Sequence, residues 1–265
     1  MSDLTPRDHL HRFLKTRGDL NGEDSVFWWK GNIYSFIPGQ ASKKLFQFEG
    51  YNISRIEEIE GGYRMITREA SFYKDPESGD ILEHWHNPLN GRDVEVVHVW
   101  NDPVNQVMME HSEQRGAFMM PTEDLQNGMS CLYFDVLLAY PSPLPRAEYP
   151  LYSQADLYQG GELFQFFVSN DELEDTSLTS IACSNSWTRV ASWVPFMEMG
   201  DHAGNLLYQC RGSKLGGFET LPQYMQDYVM AKQPKYAEAP KEFVQPNETS
   251  WTYFKKHLAD RSAKV

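Results

Sequence analysis

The stretch that decides the fold is YKDPESGDILEHWHNPLNGRDVEVVHVWNDPV, residues 73–104. It reads as three consecutive β-strands joined by two tight turns of one design. Asp75-Pro76-Glu77-Ser78-Gly79 and Asn87-Pro88-Leu89-Asn90-Gly91 each begin with an Asx residue, use Pro to preset φ, and close with a Gly that accepts φ > 0. Loops of this length suit a type I turn followed by a bulge, so the stretch predicts an antiparallel meander.

Outward from the meander, the chain alternates strand patterns with turn residues. Strands are predicted at Ser25–Lys30, Asn32–Ile37, Lys44–Ile53, Ser54–Glu60, Tyr63–Lys74, Val107–Glu110, Cys131–Tyr140, Glu162–Val168, Thr188–Pro195 and Asn205–Arg211. Thr5-Pro6-Arg7-Asp8 starts a helix over 5–17, with Leu10, Phe13 and Leu14 on one stripe and Gly18 ending it. Residues 221–260 read as a helical and extended wrap: a helix at Leu221–Lys232, a proline-punctuated segment to Pro246, and a final helix capped within Asn247-Glu248-Thr249-Ser250. There is no βαβ rhythm and no linker long enough to divide the chain. The expected fold is mainly β: one domain over 1–265, an antiparallel β-barrel of lipocalin or calycin-like type with short terminal helices. Closure would hide the strand edges.

Composition narrows the function. Net charge is −13, which argues against a nucleic-acid partner that reads phosphates through clustered Lys and Arg, and against an anionic membrane surface. Three scattered cysteines, Cys131, Cys183 and Cys210, fit a reducing compartment and no disulfide framework. The N-terminus is polar and no run approaches a membrane span, so a cytoplasmic protein is expected. Seven Trp, fourteen Tyr and fifteen Phe suit either a barrel interior lined for a guest or an ordinary aromatic core. No GxSxG, P-loop, GxGxxG or HExxH occurs, and no cofactor is implied.

Pairing the second hairpin across residues 87–92 sets Trp85 opposite Val94, Glu83 opposite Val96 and Ile81 opposite His98. One face then carries Ile81, Glu83, Trp85, Val94, Val96, His98 and Trp100. Glu83 and His98 become diagonal neighbours on an apolar wall, an arrangement that perturbs both titrations and suits acid/base work. A structural pair filling a core is the alternative, and a one-residue slip would part them. His84 and His86 share the other face with Asp93 and Glu95. HxH on a strand is a cupin-like metal signal, but the carboxylate partner is missing at its usual spacing, so no metal is assigned. Asp135, mid-strand among apolar residues, needs a partner or a cavity, and Arg189 suits it by composition. Trp187, Arg189, Ala191 and Trp193 share a strand face in the chain's densest aromatic and methionine cluster, which continues to Met197; they can hold a ligand or simply pack.

These motifs, in this order, resemble the domain-of-unknown-function 1838 family. The residues that carry the likeness are Asp75-Pro76-x-x-Gly79, Trp85-x-Asn87-Pro88-x-x-Gly91, Val97-His98-Val99-x-Asn101-Asp102-Pro103-Val104, Tyr140-Pro141-x-Pro143-Leu144, Trp187 to Gly200, and Asn247 to Phe254. The likeness spans roughly Asp8 to Lys255. Phe196 stands where the family places Trp. Many relatives carry an export signal that this chain lacks, which supports a cytoplasmic copy. The resemblance implies a mainly β domain and no particular activity.

The leading functional expectation is a cofactor-independent proton-transfer isomerase or lyase acting on an aromatic or polycyclic hydrophobic small molecule. Glu83 and His98 would move protons, with Arg189 and Asp135 as further catalytic candidates. Trp85, Trp100, Trp187, Trp193 and Met197 would bind the ligand. The alternative is a carrier or sensor that binds the same ligand without chemistry. A homo-oligomer built on exposed aromatics is a weaker expectation.

Overall fold

Thr5 and Asp8 close a capping box at the start of the chain. The Asp8 amide donates to Thr5 Oγ1 at 3.2 Å and the Thr5 amide to Asp8 Oδ2 at 2.8 Å. With Pro6 in the first turn, this launches helix α1 (Pro6–Arg17). Leu10, Phe13 and Leu14 are buried and stabilise the fold by about 2 kcal/mol each. The computed structural model describes residues 4–263; residues 1–3 and 264–265, the ends of the span assigned to one domain, lie outside it.

Fourteen strands follow among the described residues: β1 (Ser25–Phe36), β2 (Lys44–Ile59), β3 (Gly62–Lys74), β4 (His84–His86), β5 (Asp93–Glu95), β6 (Val99–Asn101), β7 (Gln106–Met109), β8 (His111–Ser112), β9 (Gly116–Ala117), β10 (Thr122–Asp124), β11 (Met129–Pro141), β12 (Leu157–Ser169), β13 (Ser184–Ala191) and β14 (Asn205–Leu215). Between and after them come helices α2 (Asn170–Glu174), α3 (Gln223–Lys232) and α4 (Ser250–Ser262). Ten strands make one antiparallel sheet in the order β10-β11-β12-β13-β14-β1-β2-β3-β6, with β7 also on β3. No strand pair among the described residues joins β10 to β6 or β7, so the expected barrel is not closed by hydrogen bonds. Two predicted breaks vanish: Gly31 lies inside β1, and β2 runs unbroken through Ser54.

Both predicted turns form. Asp75 Oδ1 accepts from the amides of Glu77 and Ser78, and Gly79 and Gly91 take φ of 77° and 73°. The meander itself does not form as one sheet. Trp85 does face Val94 and His84 faces Glu95, but β4 and β5 pair only with each other. Ile81 bridges to Lys74 rather than to His98. His98 returns to the main sheet instead, one residue before β6.

The register sorts the sheet into two faces. The inner face carries Trp29, Phe48, Asn52, Glu69, Ser71, Tyr73, Glu162, Phe164, Trp187, Arg189 and Tyr208. Trp29 lies between Gly50 and Gly212, whose neighbours come so close that an added Cβ would sit 2.3 Å from Ser71 Oγ and 2.6 Å from Asn185 Oδ1. Small residues here let the strands bend around the large ring. Helix α1 spans the ends of this face. Leu10 and Leu14 pack on Ile56, Tyr63 and Met65, and Phe13 on Phe27, Leu132 and Phe166. The outer face beneath α3 holds a separate core of Ala70, Phe72, Trp100, Met225 and Val229.

Candidate functional site

β13 places Arg189 on the inner face opposite Tyr208 of β14 and Glu162 of β12. Its Nη2 donates to the Tyr158 hydroxyl at 2.8 Å, its guanidinium carbon stands 5.3 Å from the centre of the Tyr208 ring, and its Nε is 3.6 Å from Glu162 Oε1. Burial alone would lower its pKa. Tyr158, Glu162 and Tyr208 outweigh that and raise it, so the cation is permanent. The ion pair is not sealed: Arg189 and Glu162 keep 18% and 20% of their side chains accessible.

Glu69 comes to the same face from β3. Burial pushes its carboxyl up to about 6, the Glu162 charge adds to the rise, and Arg189 and a 3.3 Å hydrogen bond from Asn101 Nδ2 oppose it. Glu69 and Glu162 are five strand spacings apart in the sheet, about 24 Å if it were flat. Charges so separated would hardly sense each other through water. The sheet therefore curls strongly enough to bring its two halves face to face. Tyr73 and Tyr208 also face one another from β3 and β14. Burial raises both phenols, Tyr208 to about 12, so both keep their protons at neutral pH.

Unmatched polar atoms collect here. Among the described residues, eleven buried side-chain nitrogen and oxygen atoms lack a hydrogen-bond partner. Eight lie on the inner face: Trp29 Nε1, Asn52 Oδ1, Thr67 Oγ1, Ser71 Oγ, Asn101 Oδ1, Asn185 Oδ1, Trp187 Nε1 and Arg189 Nε. Native proteins pair nearly all such atoms, because an orphan costs about 1–3 kcal/mol. The orphans concentrate on one face of the sheet. Two shallow clefts elsewhere, one between Pro38, Pro88 and Met199 and one between Arg68, Asp102 and Pro240, gather none of these eight.

Residues 22–258 match the sequence model described as Protein of unknown function (DUF1838). The chain belongs to this family. No curated protein matches it.

Within this DUF1838 chain the predicted residues divide by face. Trp187 and Arg189 share the inner face as expected, and Trp187 lies 6.1 Å from Trp29. Trp193 falls beyond the end of β13, and its indole donates to the His202 carbonyl at 3.0 Å. Met197 is fully buried, and its carbonyl accepts from Asn87 and Asn90. Trp85 packs on Phe46 with ring centres 4.4 Å apart.

The expected Glu83–His98 pair is not formed. Glu83 lies in a bend before β4 and is 55% exposed. It accepts from Lys232 and from the Tyr228 hydroxyl, both at 3.0 Å. His98 and Trp100 lie on the outer side, beneath α3. His98 packs on Phe72, Tyr73 and Tyr228. Its Nδ1 accepts from the Tyr73 amide at 3.2 Å and so finishes the ladder that β6 leaves short. Burial lowers its pKa to about 4 despite the Glu83 charge. The pairing fails because the β4–β5 ladder ends before it reaches His98.

Asp135 does not meet Arg189 either. It is exposed on the outer side of β11, while Arg189 points inward. His84 and His86 are exposed, with His86 on Asp93 at 2.9 Å, and no cluster of three potential metal ligands occurs among the described residues. No helix among those residues is long and apolar enough to cross a membrane. Sequence reasoning missed Glu69 and Glu162. The signal was available for Glu69: alternation in Tyr63–Lys74 sets it with Thr67, Ser71 and Tyr73, a carboxylate in mid-strand like Asp135.

Proposed function

We propose that the chain is a cofactor-independent proton-transfer enzyme, an isomerase or lyase, for a hydrophobic small molecule held against the inner face of the curled sheet. In this reading the sheet serves as an incomplete barrel wall with α1 at one end. The observation that carries it is Glu69: a carboxyl with a pKa of about 6, facing a permanently charged Arg189 on a face rich in unmatched polar atoms. Ionised Glu69 removes a proton from carbon next to a carbonyl, and the bonding pair moves onto the oxygen. Arg189 stabilises that oxyanion, and the protonated carboxyl returns the proton at another carbon. Trp29 and Trp187 supply the apolar wall. Glu83 and His98 have no part in this scheme.

Proton exchange tests it without knowledge of the natural substrate. The protein is incubated in D2O with a panel of enolisable aryl and polycyclic ketones, and carbon-bound deuterium is read by mass spectrometry. Exchange above the solvent rate with the wild-type chain, lost in Glu69→Gln and kept in Glu83→Gln, is expected. A ketone that binds with no exchange at any pH from 5 to 8 removes the enzyme reading and leaves a carrier.

A further inference from the structure

Helix α1 carries a charge where its apolar stripe calls for none. Arg17 follows Phe13 by four residues, so it projects from the same side. Its guanidinium carbon stands 4.2 Å from the centre of the Phe27 ring and 5.6 Å from that of Phe166, both buried inner-face residues. Among the described residues it has no carboxylate partner and no hydrogen bond. Every other described arginine on α1 has an acidic partner: Arg7 pairs with Glu58 and Glu110, and Arg12 with Glu174. Burial lowers its pKa to about 10, which still leaves it charged at neutral pH. This half-buried guanidinium, near Cys183 and Lys214 and without a hydrogen-bond partner, keeps its donors free for an incoming anion.

An aromatic ladder connects this cation to the proposed site. Phe166 stacks on Phe164 with ring centres 6.0 Å apart and planes within 3°, and Phe164 on Trp187 at 6.2 Å and 18°. Trp187 reaches Tyr208 at 5.9 Å, and Tyr208 carries Arg189. Phe164 is the half-buried rung of this ladder, and Phe166 and Trp187 are buried. Trp29 and Trp187 offer indole N–H groups along it without partners.

We propose that Arg17 is an anion subsite, and that the ligand is an elongated amphipathic acid whose carboxylate sits on Arg17 while its apolar body lies along the Phe166–Phe164–Trp187 ladder toward Arg189. This rests on the inner-face reading above and adds the substrate class. A cation stacked on aromatic rings purely to fill space would show no preference between an acid and its matched alcohol.

The test compares n-alkyl and ω-phenylalkyl carboxylates of graded length with the alcohol of each, by tryptophan fluorescence on the full chain at pH 7.5. The wild-type protein should bind each acid about tenfold or more tighter than its alcohol, the value of one charge-assisted contact. Arg17→Gln should abolish that preference and leave alcohol affinity in place, and Arg17→Lys should retain part of it. Alcohol binding by the variants also reports that they are folded. Equal affinity for acid and alcohol in the wild type overturns the anion subsite alone, as does a preference that survives Arg17→Gln. Binding of neither series overturns the inner-face reading, and the subsite with it.

Discussion

Strand β3 shows two ways to bury a titratable group. On its inner side, Glu69 keeps some accessible surface, stands among orphaned donors and acceptors, and holds a pKa of about 6. On its outer side, beneath α3, His98 is enclosed by aromatic rings, receives the Tyr73 amide, and is held neutral with a pKa near 4. Both titrations are displaced by burial. Glu69 stands on the face that gathers eight of the eleven unmatched atoms, opposite a permanent cation, whereas on the outer side His98's own Nε2 is unmatched and the Glu83 charge reaches it. The two perturbed groups therefore differ in their surroundings: Glu69 has a fixed cation opposite it and a face rich in unmatched polar atoms, His98 an enclosure of aromatic rings.

The largest expected effect lies on the outer side. The fold holds His98 neutral, so its contribution is fully present above pH 6.5 and is lost as pH falls through 6.5 toward 4. That loss is worth about 3 kcal/mol. Urea unfolding at pH 7, 5.5 and 4 should show His98→Gln losing less stability on acidification than the wild type by about this amount. An unchanged acid slope would break the contrast, because His98 would then not be a buried neutral group. The smallest effect lies just outside the same layer. Glu83 and Lys232 are 55% and 50% exposed, and such a pair is worth about 0.2–1 kcal/mol. Glu83→Gln should leave the unfolding midpoint nearly unmoved, and a loss above 1 kcal/mol would show that Glu83 supports more than a surface contact.

Strands, both tight turns and the terminal helices were legible because they depend on local chemistry. Thr5 caps α1 through Asp8, Thr249 caps α4 through Thr252, and the two Asx-Pro turns take their expected form. The family was legible from the same motifs. The pairing beyond β5 was not, because nothing local tells His98 to leave the hairpin and join β3. The site was half legible. Alternation put Trp187 and Arg189 on one face, but Glu162 and Glu69 reach Arg189 only through register and curl. Those are set by packing among six strands and by small residues such as Gly50 and Gly212. Arg17 was invisible for the opposite reason: an arginine in the last turn of a helix looks like an ordinary partner for the helix dipole.

If the inner face holds a carboxyl poised for proton transfer, the titration of Glu69 itself reveals it. Wild-type and Glu69→Gln proteins carrying 13C-labelled glutamate side chains are titrated by NMR from pH 3.5 to 8, and the one carboxyl resonance missing from the variant is followed. A midpoint of about 6 is expected for that resonance, displaced upward when an anionic inner-face ligand is added. A midpoint at the ordinary value of 4.5 or below would show Glu69 to be a solvated or fully paired carboxylate, and the inner face would lose its acid/base group.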